Sequence, residues 1–119
     1  MIGKRILVIE DEYLIALEME SELKKAGFTE VTCAATEKEA LALIEEGTWD
    51  AAVADANLHG RKIDFVAAAL NVRRIPYVVV TGYGRESLPS ETAGAPLIAK
   101  PVQGRRLAQE ITQLCVGKR

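Results

Sequence analysis

Arg5-Ile6-Leu7-Val8-Ile9-Glu10-Asp11-Glu12 decides how the rest of the chain is read. Residues 5–9 form a nearly continuous aliphatic run with no polar alternation. Such a run marks a strand buried on both faces, as in a parallel sheet. Three acids follow directly, so the strand ends in negative charge. Outward from this stretch, the hydrophobic period switches back and forth. Ala16, Met19, Leu23 and Ala26 recur at helical spacing, and Gly27 follows as a C-terminal cap. Val31 to Ala35 reads as a second strand. Thr36-Glu37-Lys38-Glu39 fits a capping box that opens a helix through Leu43 and Ile44, closing near Gly47. Ala51-Ala52-Val53-Ala54 is a third strand, and Ile63, Val66, Ala67 and Leu70 make one helix face. Tyr77-Val78-Val79-Val80 is a fourth strand and Leu97-Ile98-Ala99 a fifth. Leu107, Ile111, Leu114 and Cys115 mark a last helix. This alternation predicts an α/β fold, a single doubly wound parallel sheet with helices on both faces. One segment breaks the rhythm. Gly84 to Pro96 should carry the fourth helix but holds Gly84, Pro89, Gly94 and Pro96. A proline in a helix interior costs about 3 kcal/mol, so the fourth helix is expected to be short and mobile.

The chain has 119 residues, enough for one domain with one core, and the expected domain spans 1–119. A composition of 49% hydrophobic and 27% charged residues excludes a disordered or low-complexity chain. No apolar run approaches the roughly 18 residues of a membrane span, so no membrane partner is expected. The N-terminal apolar run meets Glu10-Asp11-Glu12 too early for a secretory signal. A cytoplasmic location follows. The net charge of −2 argues against a general nucleic-acid binder, which carries a basic patch. Cys33 and Cys115 stand far apart without metal-type spacing, and two reduced, buried thiols are expected.

In an open parallel sheet, ligands bind beyond the C-terminal ends of the strands. The first strand ends in Glu10-Asp11-Glu12, the third in Asp55-Ala56-Asn57, the fourth in Thr81-Gly82-Tyr83-Gly84 and the fifth in Lys100-Pro101. The second ends in nothing chemical. With the first and third strands adjacent, Asp11 and Asp55 converge and repel one another. A divalent cation relieves that repulsion, and carboxylates are the hard oxygen ligands that Mg²⁺ prefers. Thr81 adds a hydroxyl and Lys100 a compact cation. This set suits a phosphoryl group, whose transfer needs positioning and charge neutralisation. A carboxylate could then be the nucleophile, giving an aspartyl phosphate. Taken singly, each residue also has a structural reading: Asp11 as a helix cap, Asp55 and Thr81-Gly82 as turns, Lys100 as a solvated charge. His59 lacks a partner at ligand spacing and reads as a solvated loop residue.

With Glu10-Asp11, Asp55, Thr81 and Lys100-Pro101 in this order and spacing, the sequence resembles a response-regulator receiver domain over essentially its whole length. The resemblance implies a flavodoxin-like strand order 2-1-3-4-5. It implies Asp55 as the phosphoacceptor, served by a sensor histidine kinase or phosphotransfer protein. Asp11, Asp55 and the Asn57 backbone carbonyl would ligate Mg²⁺ directly and Glu10 largely through water, with Mn²⁺ or Ca²⁺ as substitutes. Thr81 and Lys100 would bond the arriving phosphoryl oxygens, and the peptide before Pro101 would be cis. The chain also departs from the family pattern. Leu97 stands where the switch aromatic is usual, and Leu58-His59-Gly60 replaces a Met-Pro loop. Thr81-Gly82-Tyr83-Gly84 resembles a subfamily, often single-domain, served by a variant class of sensor kinase. Tyr83 is therefore expected to be the aromatic that repositions, with Gly82 small enough to allow close approach to Asp55.

The resemblance makes the chain a signalling domain rather than an enzyme, beyond taking up and losing its own phosphoryl group. A phosphorylation-independent, degenerate receiver acting as an interaction module is the alternative within the family. A haloacid-dehalogenase-type phosphatase would want a carboxylate where Asn57 stands. A flavin binder would want a phosphate loop where three acids stand. With the receiver pattern reaching nearly to Arg119, the expected output of the chain is binding, either docking on a partner or drawing phosphate away from a kinase.

Overall fold

Each aliphatic run becomes a strand of one parallel sheet in the computed structural model, which describes residues 3–117. Met1, Ile2, Lys118 and Arg119 of the expected 1–119 domain lie outside the described residues. The elements alternate as β1 (Arg5–Ile9), α1 (Tyr13–Lys25), β2 (Glu30–Ala34), α2 (Glu37–Glu46) and β3 (Ala51–Asp55). A small hairpin of β4 (Asn57–Leu58) and β5 (Arg61–Lys62) follows, then α3 (Asp64–Val72), β6 (Tyr77–Thr81), β7 (Leu97–Ala99) and α4 (Gly104–Gly117). The main sheet runs β2-β1-β3-β6-β7, which is the flavodoxin-like order 2-1-3-4-5 when only its own strands are counted.

The pleat explains the two-sided burial. Leu7, Ile9, Ala52, Ala54 and Val79 face one side and pack with Ala40 and Ile44 of α2 and Val66, Ala67 and Leu70 of α3. Their alternates Ile6, Val8, Val53, Val78 and Val80 face the other, against Met19 and Leu23 of α1 and Leu107 and Ile111 of α4. Local signals set the element ends. At the end of α1, Gly27 has φ +104°, Phe28 N–H reaches the Leu23 carbonyl and Gly27 N–H the Lys24 carbonyl, a Schellman cap. At the start of α2, Thr36 Oγ1 accepts from Glu39 N–H at 3.0 Å. The Glu39 carboxylate reaches back one residue beyond the usual box, to Ala35 N–H at 2.9 Å.

One expectation is corrected here. Cys115 is buried but Cys33 is exposed, because β2 is an edge strand with only α1 beside that face. The Cys33 thiol faces Glu20 Oε1 of α1 at 3.9 Å. The fourth helix is reduced to two single 3₁₀ turns, Arg85–Ser87 and Ser90–Thr92. The segment is also well bonded. The Glu91 carbonyl accepts from Asn71 Nδ2 at 2.8 Å and Tyr77 O–H at 3.0 Å, and Arg85 donates to the Thr92 and Ala95 carbonyls.

Candidate functional site

The sheet ladder runs past the strand ends and carries the polar residues into place. Glu10 N–H donates to the Ala34 carbonyl, Ala56 N–H to Val80 and Lys100 N–H to Thr81. β1 and β3 pair directly, which brings Glu10 and Asp11 beside Asp55. Carboxylate oxygens of these three residues lie within 4.8 Å of one another. Lys100 Nζ stands 3.1 Å from Asp55 Oδ1, which also accepts from Asn57 N–H at 3.1 Å. Asp55 is 2% exposed, so this carboxylate meets the ammonium largely out of water. Thr81, one position beyond Val80 (the β6 partner of Asp55), is buried at the same end. The peptide before Pro101 is cis. Asp55, Asn57, Lys62, Thr81, Tyr83 and Lys100 line an open hollow of about 680 Å³.

The charges are strained in an informative way. Burial, opposed by Glu12 N–H and aided by nearby Asp55, pushes the Glu10 carboxyl up to about 8. Burial would also raise Asp11, but hydrogen bonds from His59 N–H and within the acid pair outweigh it and hold Asp11 below its ordinary value. Burial opposes the charge of Lys100, yet Asp55 outweighs it and holds the ammonium above its ordinary value. Glu10 Oε2 accepts from Glu12 N–H at 3.0 Å, while Oε1 is buried with no hydrogen-bond partner. An orphaned carboxylate oxygen among three acids is a site short of positive charge. The donors present fit a hard divalent cation such as Mg²⁺.

The expected switch residues lie nearby in different settings. Tyr83 is 77% exposed, and its N–H donates to Thr81 Oγ1 at 3.0 Å. Leu97 is half-buried against the core on β7. A Cβ on Gly82 would meet no atom within 4 Å, so crowding does not demand glycine there in this conformation.

Sequence reasoning missed one residue of the site. His59 sits at the tip of the β4–β5 hairpin, where φ is +51° at His59 and +78° at Gly60, the paired positive angles of a type I′ turn. Its N–H donates to Asp11 Oδ2 at 3.1 Å, its Nδ1 stands 3.6 Å from the same oxygen, and its Nε2 is 3.1 Å from the Ala35 carbonyl. His59 is thus not a free loop residue. The chain just beyond β2, read as chemically empty, supplies a carbonyl. The signal available in the sequence was the short Leu58-His59-Gly60 link leaving the strand that ends in Asp55.

A flavodoxin-like sheet with an acid cluster, a hydroxyl and a lysine at its strand ends defines a signalling domain built to accept a phosphoryl group. The chain belongs to the response regulator receiver domain family of two-component systems, whose profile matches residues 6–112. It is 32% identical over 112 residues to the phyllosphere-induced regulator PhyR of Methylorubrum extorquens. That match takes in 91% of this chain but only 42% of the relative's length. A receiver domain protein from Methanospirillum hungatei superposes with a TM-score of 0.86 at 31% identity, covering 97% of this chain and 95% of that one. SdrG from Sphingomonas melonis gives 0.78 at 38% identity, covering 93% and 95%. SdrG has also been solved in a BeF₃-activated conformation. Among the described residues no helix is long and apolar enough to cross a membrane.

Proposed function

We propose that Asp55 accepts a phosphoryl group from the phosphohistidine of a sensor kinase or phosphotransfer protein, and that this switches the binding of a partner or drains phosphate from the kinase. The supporting observation is a buried Asp55 carboxylate held 3.1 Å from Lys100 beside two further acids. An Asp55 oxygen forms the new bond to phosphorus as the phosphorus–nitrogen bond of the donor breaks. The departing imidazole keeps the electron pair and takes up a proton. Mg²⁺ bound there would neutralise oxygens of the transferring group. Asp11, Asp55 and the Asn57 carbonyl would be the direct ligands in this reading and Glu10 would act through water, with Mn²⁺ or Ca²⁺ as substitutes. Lys100 and the Thr81 hydroxyl take the phosphoryl oxygens.

Thr81 Oγ1 already carries the Tyr83 N–H. Movement of Thr81 toward phosphate would therefore pull on the residues after β6, which makes Tyr83, rather than Leu97, the responding side chain. The Thr81-Gly82-Tyr83-Gly84 motif supports a kinase of the variant class. A cytoplasmic location, with the receiver domain spanning 1–119, completes the reading.

Incubation with phosphoramidate and Mg²⁺ followed by intact mass tests it. Wild type gains one phosphoryl group and Asp55→Asn gains none. An equal gain in the mutant overturns the acceptor assignment. No gain in wild type overturns the switch and leaves an interaction module that needs no phosphate.

A further inference from the structure

His59 has the hydrogen-bonding pattern of a metal-ligating histidine. A carbonyl oxygen only accepts, so the ring nitrogen 3.1 Å from the Ala35 carbonyl, Nε2, carries the hydrogen. Ligating histidines characteristically donate their second ring N–H to a carbonyl in this way, which fixes the tautomer and aims the other nitrogen. In the neutral ring the Nδ1 lone pair then faces Asp11 Oδ2 at 3.6 Å. Either a proton on Nδ1 or a metal ion held between the two atoms satisfies that contact. Two ligands each about 2.0–2.2 Å from one ion at a tetrahedral angle stand about 3.4 Å apart. The observed spacing is close to that and wider than the roughly 3 Å between adjacent ligands of an octahedral ion. Asp11 is shared with the acid cluster, where Glu10 Oε1 is buried and unpartnered.

We propose that His59 Nδ1 and Asp11 Oδ2 together hold a tetrahedral, borderline-soft ion such as Zn²⁺, which competes with Mg²⁺ for the acidic pocket. Imidazole suits Zn²⁺, whereas Mg²⁺ prefers oxygen alone. The hairpin therefore adds a second ion preference to a site that is otherwise all oxygen. Water fills the positions that protein atoms do not, because His59 lies at the open rim with 58% of its side chain exposed. The proposal rests on the acidic pocket being a cation site, as the reading above has it.

His59 is the single histidine of the chain, so its two ring ¹⁵N resonances report on it without ambiguity. They are followed while Zn²⁺, and separately Mg²⁺, is added to the intact protein, and the Kd of each ion is measured for wild type and His59→Ala. Zn²⁺ is expected to shift Nδ1 to that of a ligated nitrogen and leave Nε2 protonated, while Mg²⁺ does neither. Added Mg²⁺ should reverse the Zn²⁺ shift. His59→Ala should weaken Zn²⁺ binding about tenfold and change Mg²⁺ binding less than about twofold. Zn²⁺ binding that leaves Nδ1 unshifted, ligation through Nε2, or equal losses for both ions overturns the assignment while the Mg²⁺ site stands. Failure of both ions to bind wild type overturns the cation pocket and the His59 role with it.

Discussion

Two connections leave the strands that build the site, and they are secured at opposite ends. The β3–α3 connection folds into the β4–β5 hairpin and ties itself to the site. His59 N–H donates to Asp11, Asn57 N–H to Asp55, and Gly60 N–H to Asn57 Oδ1 at 2.7 Å. The β6–β7 connection is tied away from the site. Its far half hangs on the Glu91 carbonyl, which takes Tyr77 O–H and Asn71 Nδ2, and on Arg85, which spans to Thr92 and Ala95. Near the site, Tyr83 N–H on Thr81 is its side-chain link. One connection is therefore preset by the acids, while the other has a fixed far half and an exposed near half. An element answering a change at Asp55 would therefore narrow from the whole 82–96 segment to the exposed residues 82–84 ahead of Arg85.

The largest effect expected from this contrast is a dependence on pH and cation on the acid side alone. Glu10 rises from an ordinary 4.5 to about 8 through burial, Glu12 N–H opposing and Asp55 aiding. Between about pH 5 and 8 the unfolded chain has lost this proton and the folded chain keeps it. The folded state then binds more protons, so the stability of metal-free protein falls as pH rises through that window. Urea unfolding at pH 5, 6, 7 and 8 measures it. Saturating Mg²⁺, which favours the ionised carboxylate, is expected to flatten the slope, and so is Glu10→Gln. Metal-free stability that holds or rises from pH 5 to 8 would separate Glu10 from the contrast drawn here.

A smaller effect is expected at the far anchor. Tyr77→Phe with Asn71→Ala removes both donors from the Glu91 carbonyl, and the loss should be about 1–3 kcal/mol in chemical unfolding. Amide exchange should quicken at residues 89–96 and stay unchanged in the hairpin at 57–62. Equal quickening in both would show one cooperative unit rather than two differently secured connections.

The same contrast explains what was legible in the sequence. Ile6 to Ile9 and Tyr77 to Val80 announce buried strands because burial on both faces leaves no polar alternation. Glu10, Asp11, Asp55, Thr81 and Lys100 could be gathered at one end because a parallel sheet delivers every strand end to the same side. The proline and glycine pattern after Gly84 correctly denied a full helix. It could not report that Tyr77, a core residue by pattern, spends its hydroxyl on the Glu91 carbonyl. Cys33 was misplaced because a strand-like run does not say whether its strand is at the edge. The hairpin escaped because its turn is His59-Gly60, without the Asn-Gly or Asp-Gly pair that signals a type I′ turn, and its strands are two residues each.

The smallest expected change in stability falls on the residue with the clearest expected effect on signalling. Tyr83 is 77% exposed and packs in neither core cluster, so Tyr83→Ala should alter unfolding free energy by less than about 0.5 kcal/mol. Yet Tyr83 lines the hollow over Asp55, and its N–H rides on the Thr81 hydroxyl. If Thr81 turns toward a phosphoryl oxygen, the near half of the β6–β7 connection follows, and the ring is carried over the mouth of the site. An aromatic ring in that place excludes the water that would hydrolyse the acyl phosphate. Decay of phosphorylated protein, followed by intact mass in Mg²⁺, should therefore be a few-fold faster in Tyr83→Ala, while Leu97→Ala decays at the wild-type rate. A Tyr83→Ala lifetime equal to or longer than wild type would mean that the near half does not close over the phosphate. The responding element would then have to be sought on β7, at Leu97, where receivers with an aromatic switch carry it.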